Sequence, residues 1–128
     1  MEWSFKNDLP IYAQLVEKFR QAIAAGELPP GTRLPGVREL AAEAGVNPNT
    51  MQRAMQELER EGFVYTQRTA GRFVTEDEAA VGSLKSDMAK GLVRSFLTEM
   101  GKLGYGRRDI LDLLQEEKEE NWYANPGV

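Results

Sequence analysis

Apolar positions recur with a helical period in three stretches before residue 62, and the period then changes. At about 100° per residue, Ile11, Tyr12, Leu15, Val16, Phe19, Ala22 and Ile23 form one continuous arc. Gln14, Glu17, Arg20 and Gln21 occupy the rest of the circumference. This predicts a helix from Pro10 to Ala25, ended by Gly26. Leu28-Pro29-Pro30-Gly31 reads as a turn, because proline pre-sets φ and glycine accepts the left-handed region. Thr32-Arg33-Leu34 suits a short strand. A second helix is predicted over Val37–Ala44, with Val37, Leu40, Ala41 and Ala44 inward, Gly45 as its left-handed end and Val46 fastening the turn to the core. A third starts at Asn47-Pro48, a favoured N-cap followed by a proline whose missing N–H has no intrahelical use. Gly62 closes it. Met51, Ala54, Met55 and Leu58 face inward, while Asn49, Arg53, Gln56 and Arg60 face outward with Thr50 and Gln52 at the edges.

Beyond Gly62 the helical period gives way to β-branched and aromatic runs, Phe63–Gln67 and Arg72–Thr75, around Arg68-Thr69-Ala70-Gly71. That is a hairpin pattern. Helix, short strand, helix, helix and hairpin is the order of a winged helix-turn-helix, whose last helix enters a DNA major groove. Arginine bonds guanine bidentately, and asparagine or glutamine bonds adenine. Taken alone, the outer face of the third helix also fits an ordinary solvated surface. Its amide and arginine side chains gather in the N-terminal half, however, and the hairpin context favours a recognition helix. Arg38 lies in the first turn of its helix, where a cation opposes the dipole. Its partner is either a phosphate or guanine, or a neighbouring carboxylate such as Glu39 or Glu43. Arg68 and Arg72 bracket the wing loop and suit a minor groove or phosphate backbone.

Residues 76–82 look like a linker into a helix from about Ser83 to Leu103. Its apolar residues, among them Leu84, Met88, Leu92, Phe96, Met100 and Leu103, cover more than half the circumference. Gly104-Tyr105-Gly106 turns the chain into a helix from Arg107 to Glu120 that carries Ile110, Leu111, Leu113 and Leu114. The tail Asn121–Val128 reads as irregular. A helical hairpin of this size leaves so wide a stripe uncovered, and a second copy would cover it by a two-fold interface. The expected interface residues are Leu84, Met88, Leu92, Phe96, Met100, Leu103, Ile110 and Leu114. Packing of these helices back on the winged domain is the competing arrangement. Gly91 and Gly101 cost roughly 1 kcal/mol each in a helix interior, which close helix–helix approach would explain. A dimer would set two recognition helices about 34 Å apart, one duplex turn.

The expected architecture is therefore mainly α with a small β hairpin. Residues 1–75 form a winged helix-turn-helix, and residues 76–128 form a helical hairpin for dimerisation with an irregular tail. Composition narrows the chemistry further. The chain has no cysteine and no histidine, so disulfides, thiol nucleophiles, imidazole bases and the common zinc sites are excluded. No cofactor or metal is expected. Pairs such as Glu116/Glu120 and Asp109/Asp112 lack an adjacent base or nucleophile, so no enzyme is expected either. Net charge is −4, but the first 75 residues carry nine basic and nine acidic side chains, and the excess acid lies after them. Arg38, Arg53, Arg60, Arg68 and Arg72 can thus form a local basic surface. No run approaches the ~18 apolar residues of a membrane span, and no signal-peptide pattern opens the chain. A cytoplasmic protein is expected.

The spaced motifs Pro10-Ile11-Tyr12-x-Gln14, Leu28-Pro29-Pro30-Gly31-x-x-Leu34-Pro35-x-x-Arg38-x-Leu40-Ala41, Gly45-Val46-Asn47-Pro48-Asn49-Thr50 and Glu59-x-Glu61-Gly62 resemble the GntR family of bacterial transcription regulators. The Val-Asn-Pro-Asn-Thr run and the short C-terminal part resemble its YtrA subfamily. The resemblance implies a homodimeric repressor bound to an inverted repeat in double-stranded DNA. By this likeness Arg38 reads or clamps DNA, Thr50 contacts phosphate and Arg68 approaches the minor groove. Together with the outer face of the third helix and the wing, the expected DNA-binding set is Arg38, Asn47, Asn49, Thr50, Gln52, Arg53, Gln56, Arg68, Thr69, Gly71 and Arg72. Three departures stand out. Pro48 replaces a basic residue common outside this subfamily, Gly36 replaces a capping serine, and Thr69 replaces the first glycine of a Gly-x-Gly wing. An alternative function is a protein-interaction module on the same fold. Residues 76–128 are too few to wall a drug-sized pocket of about 300–1,000 Å³, so no dedicated effector domain is expected and any small-molecule effector is unidentified.

Overall fold

In a computed structural model, which describes residues 1–122, the chain divides into two compact units, Met1–Met88 and Ala89–Val128. In the first, α1 (Ile11–Ala24), α2 (Val37–Ala44) and α3 (Pro48–Arg60) precede β1 (Val64–Gln67) and β2 (Gly71–Val74). The local causes are those read from the sequence. Gly45 ends α2 at φ 72°. Asn47 caps α3 by accepting the Asn49 N–H at 2.8 Å, and Pro48 takes the first helical position. Leu15, Phe19 and Ile23 of α1 meet Leu40 of α2, Met51, Met55 and Leu58 of α3, and Val64 and Val74 of the hairpin in one core. Each such side chain removed from water stabilises the unit by roughly 1.5–3 kcal/mol before entropy is counted. Trp3 adds to this core from outside α1, with its ring 5.8 Å from that of Phe19.

β1 and β2 pair antiparallel, with Val64 opposite Val74 and Gln67 opposite Gly71. The third strand expected at Thr32–Leu34 is reduced to a single bridge between Arg33 and Phe73. The Leu34 N–H donates to Arg72 O at 2.8 Å, and the Val74 N–H donates to Thr32 O at 2.9 Å. Gly36, the next residue whose N–H could face β2, already occupies the N-cap position of α2, so the pairing does not extend.

The next helix corrects the sequence reading. α4 spans Glu78–Lys102 and so begins five residues before Ser83. Asp77 Oδ1 accepts the N–H groups of Ala79 and Ala80 at 3.0 and 3.2 Å, and Thr75 Oγ1 accepts the Asp77 N–H at 3.1 Å. Capping thus converts most of the expected linker into helix. Leu84 is buried in the winged-helix core, and Val81 and Met88 pack against it. The apolar surface of Leu84 and Met88, assigned from sequence to a dimer seam, is therefore used within the first unit.

In the second unit α4 continues, followed by α5 (Arg107–Glu116) and α6 (Glu119–Trp122). The predicted helix to Glu120 breaks at Glu117, which is extended with ψ 129°. Carboxylates crowded at a helix C-terminus oppose the dipole, and the acidic run Glu116–Glu120 ends α5 there. Asn121 and Trp122, expected to be irregular, close α6. The rest of the expected irregular tail, residues 123–128, lies outside the described residues. Ile110 is buried, whereas Leu92, Phe96, Leu103, Leu111 and Leu113 are exposed. A Cβ added at Gly91 or Gly101 meets no described atom within 4 Å. Close helix approach at these glycines is thus not found among the described residues.

Candidate nucleic-acid interface

α3 divides cleanly into two faces. Met51, Ala54, Met55 and Leu58 are fully buried. Asn49, Arg53 and Gln56 are exposed, and Thr50 and Gln52 are half-buried beside them. Asn47 is exposed at the start of the helix, but its side-chain oxygen is committed to the cap. The amide N–H₂ remains its available donor.

Arg38 is exposed and makes no ion pair or side-chain hydrogen bond among the described residues. The bland alternative, pairing with Glu39 or Glu43, is not found there. Gly36 precedes α2 with no side-chain cap. The first turn of α2 thus presents uncapped N–H groups and the Arg38 cation, which attract an anion, together with the Glu39 carboxylate, which opposes one.

The other arginines divide by partner. Arg53 lies over the Tyr12 ring, with its guanidinium carbon 3.6 Å from the ring centroid. Stacking on an aromatic face leaves the guanidinium edge and its N–H donors free. Sequence periodicity put Tyr12 on the inward arc and did not show this role. Arg20 bridges α1 to the C-terminal end of α3, with Nε donating to Glu61 Oε1 at 2.8 Å and Nη1 donating to Glu17 at 3.0 Å. Its pKa is raised chiefly by the Glu61 hydrogen bond, against the opposing effect of burial. Arg60 is occupied by Glu57, with Nε donating at 2.9 Å. The Arg60 hydrogen bond holds the Glu57 carboxyl at about 2. Arg60, counted from sequence in the basic surface, is thus neutralised by its neighbour.

At the hairpin end, Arg68 and Thr69 are exposed, Gly71 and Arg72 are half-buried, and Arg72 Nε is buried without a partner. Thr69 adopts φ 69° and Gly71 φ 114°. A β-branched residue in the left-handed region is strained, so Thr69 keeps a conformation that glycine would adopt freely. Arg33, which sequence reasoning left out, extends its side chain across the same tip and donates from Nε to Ala70 O at 2.9 Å. Its signal lay in pairing across 37 residues, which no local periodicity contains. Thr66 Oγ1 also donates to Glu59, tying the hairpin to α3. One free arginine on α2, a polar face on α3 and a cationic hairpin therefore belong to one folded unit. This combination suits a major groove flanked by phosphates.

Comparison with known proteins agrees with this geometry. A family profile described as "Bacterial regulatory proteins, gntR family" matches residues 11–74. An uncharacterized HTH-type transcriptional regulator of Bacillus subtilis, YhcF, is 37% identical over 88% of this chain and 93% of its own length. The HTH-type transcriptional repressor YtrA of the same organism is 40% identical over 56% of this chain and 55% of its own. Among solved structures, a GntR family transcriptional regulator from Listeria monocytogenes superposes with a TM-score of 0.81 at 38% identity, covering 89% of this chain and all of that one. The DNA-binding domain of AraR in complex with operator ORX1 superposes with a TM-score of 0.54 at 30% identity, covering 59% of this chain and 96% of that one. The relatives are named as transcription regulators and not as enzymes. Among the described residues no helix is long and apolar enough to cross a membrane.

Proposed function

Since the chain belongs to the gntR family of bacterial regulatory proteins, with YtrA-like relatives, and is a DNA-binding transcription regulator, we propose that it is a cytoplasmic repressor that binds an inverted-repeat operator as a homodimer. The observation that carries the reading is Arg38, an exposed cation with no described partner, in the same folded unit as the outer face of α3. Arg38 and Arg53 are the base readers. Asn47, Asn49, Gln52 and Gln56 line the groove around them, and Thr50 holds a phosphate. Arg68, Thr69, Gly71 and Arg72 form the wing that follows the backbone. Repression is supported by the YtrA and NagR repressors of Bacillus subtilis, and operator contact by the AraR complexes.

Residues 1–75 carry the DNA contacts in this reading, and residues 76–128 form the dimerisation region, its seam lying beyond the part of α4 that Leu84 and Met88 commit to the winged-helix core. The dimer is supported by apolar side chains left in solvent on the second unit, with Leu92 and Leu103 each 72% exposed. Single exposed apolar residues are ordinary, but a set on adjoining helices marks an interaction surface. Isologous pairing would give the two-fold symmetry that an inverted repeat requires. No residue is assigned a catalytic role.

Selection of bound sequences from a random duplex pool tests the reading. The expected result is a palindromic consensus. Arg38→Ala and Arg53→Ala should each weaken binding to it by about 1–3 kcal/mol with relaxed preference at one base pair per half-site. Glu119→Ala should leave binding unchanged. No enrichment, or equal losses in all three variants, would refute the assignment.

A further inference from the structure

We infer that Arg33 is a positioning residue for the wing: its guanidinium, laid across the hairpin tip, fixes Arg68 and Thr69 for contact with DNA. The inference rests on the wing's proposed role in DNA binding. Four observations support it. The Arg33 Nε–H donates to Ala70 O at 2.9 Å, in the last residue of the loop. The guanidinium also lies against Gly71 so closely that an added Cβ would sit 3.1 Å from Nε and 3.4 Å from Nη2. Glycine at 71 is favoured by its φ of 114°, and a side chain there would also push against the Arg33 guanidinium. The root of the Arg33 side chain is fixed as well, by the bridge to Phe73 and the flanking hydrogen bonds of Thr32 and Leu34 to β2. Finally, the loop needs holding, because Thr69 is β-branched and yet adopts φ 69°. Such a conformation persists only where its surroundings enforce it.

A Gly-x-Gly tip would take this shape without help. Here Thr69 stands at the first glycine position, and Arg33 supplies the constraint from outside the loop. Only Nε of the Arg33 guanidinium has a described hydrogen bond. Its Nη groups keep their donors and its charge stays at the hairpin tip beside Gly71, so the brace also adds to the cationic edge of the wing. Lysine cannot reproduce this arrangement, since it lacks a planar fork and an N–H at the Nε position.

The test uses the full chain with Arg33→Ala, Arg33→Lys and Arg68→Ala. Two readouts are taken: amide hydrogen exchange in free protein, and affinity for the selected operator at two salt concentrations. Arg33→Ala should speed exchange of the Ala70 N–H, which donates to Gln67 O, by tenfold or more. The Thr75 N–H, which donates across the hairpin to Phe63 O at 2.9 Å, reports whether the hairpin stays folded and should change less than threefold. Arg33→Ala should weaken operator binding about tenfold and make the salt dependence shallower. Arg33→Lys should restore the salt dependence but neither the Ala70 protection nor more than half of the lost binding free energy. Unchanged Ala70 exchange in Arg33→Ala would overturn the brace. So would faster exchange with undiminished binding, if Arg68→Ala weakens binding in the same assay. If neither variant weakens binding while Ala70 exchange still rises, the DNA role of the wing fails instead. Loss of Thr75 protection in Arg33→Ala would transfer the question to Arg33→Lys, and full Ala70 protection there would overturn the brace.

Discussion

The two units of this chain treat similar side chains in opposite ways. Within Met1–Met88, Leu15, Phe19, Met55 and Leu58 are at most 1% exposed. On the second unit, Leu92, Val93, Phe96 and Leu97 lie between 42% and 72% exposed. Both sets have helical spacing and similar composition, so periodicity alone does not distinguish them. The difference is whether the same chain supplies the covering surface. Three helices and a hairpin enclose the first set. The second has the composition of a core with no described side chains to complete it, the pattern expected of a surface that pairs with another copy. In the first unit several charges are matched, as in Arg20–Glu61 and Arg60–Glu57, while Arg38 is left open.

The largest expected effect comes from treating the two sets alike. Phe19→Ala should cost about 3–5 kcal/mol of unfolding free energy, because it opens a cavity that its neighbours cannot fill. Leu92→Ala, in protein dilute enough to be monomeric, should change stability by less than about 0.5 kcal/mol. Chemical denaturation of both variants gives the ratio, and equal losses would erase the distinction between the units.

Phe96→Asp sharpens the same point. A charge placed in an apolar seam should weaken self-association by about 3 kcal/mol, seen by sedimentation, while the thermal transition of the winged-helix unit persists. A fully dimeric Phe96→Asp protein would remove Phe96 from the interface. A smaller effect is expected at the start of α3. Asn47→Ala removes the cap to the Asn49 N–H and should cost about 1 kcal/mol of stability. The smallest concerns the exposed Glu57–Arg60 pair. The Arg60 hydrogen bond holds the Glu57 carboxyl at about 2, well below the usual carboxylate range. Its contribution is therefore present above pH ~4.5 and is lost as pH falls through about 2. Carboxyl-resonance NMR of Glu57 should show the low midpoint, and Arg60→Ala should move it back toward 4.5.

The winged fold was legible because its signals are local. Asn47-Pro48, Gly45, Gly62 and the one-sided arcs of α1 to α3 each specify an element within a few residues. The start of α4 departs from its sequence pattern for an equally local reason. Glu76-Asp77-Glu78 has the composition of a solvated linker, but Asp77 acts as a cap and the alanines that follow propagate the helix. The fate of Leu84 was not legible, since spacing places it in the same stripe as Leu92 and does not say which residues the winged unit covers. In the candidate site, the exposure of the outer face of α3 and of Arg38 follows from pattern alone. Tyr12 beneath Arg53, and Arg33 across the hairpin tip, depend on contacts between distant segments and entered only with the fold.

Thr69 has a consequence for the lifetime of a complex. A glycine at this φ would have many conformations open to it, and docking would have to remove them. A threonine held at φ 69° has few, so much of that ordering entropy is removed during folding and not on contact with the duplex. Thr69→Gly should relieve roughly 1–2 kcal/mol of left-handed strain, partly offset by up to about 1 kcal/mol of added freedom in the unfolded chain. The variant should thus melt slightly higher, yet leave its operator sooner. Stability and residence time would then change in opposite directions at a single position, and thermal melting together with dissociation kinetics on one sample would show it.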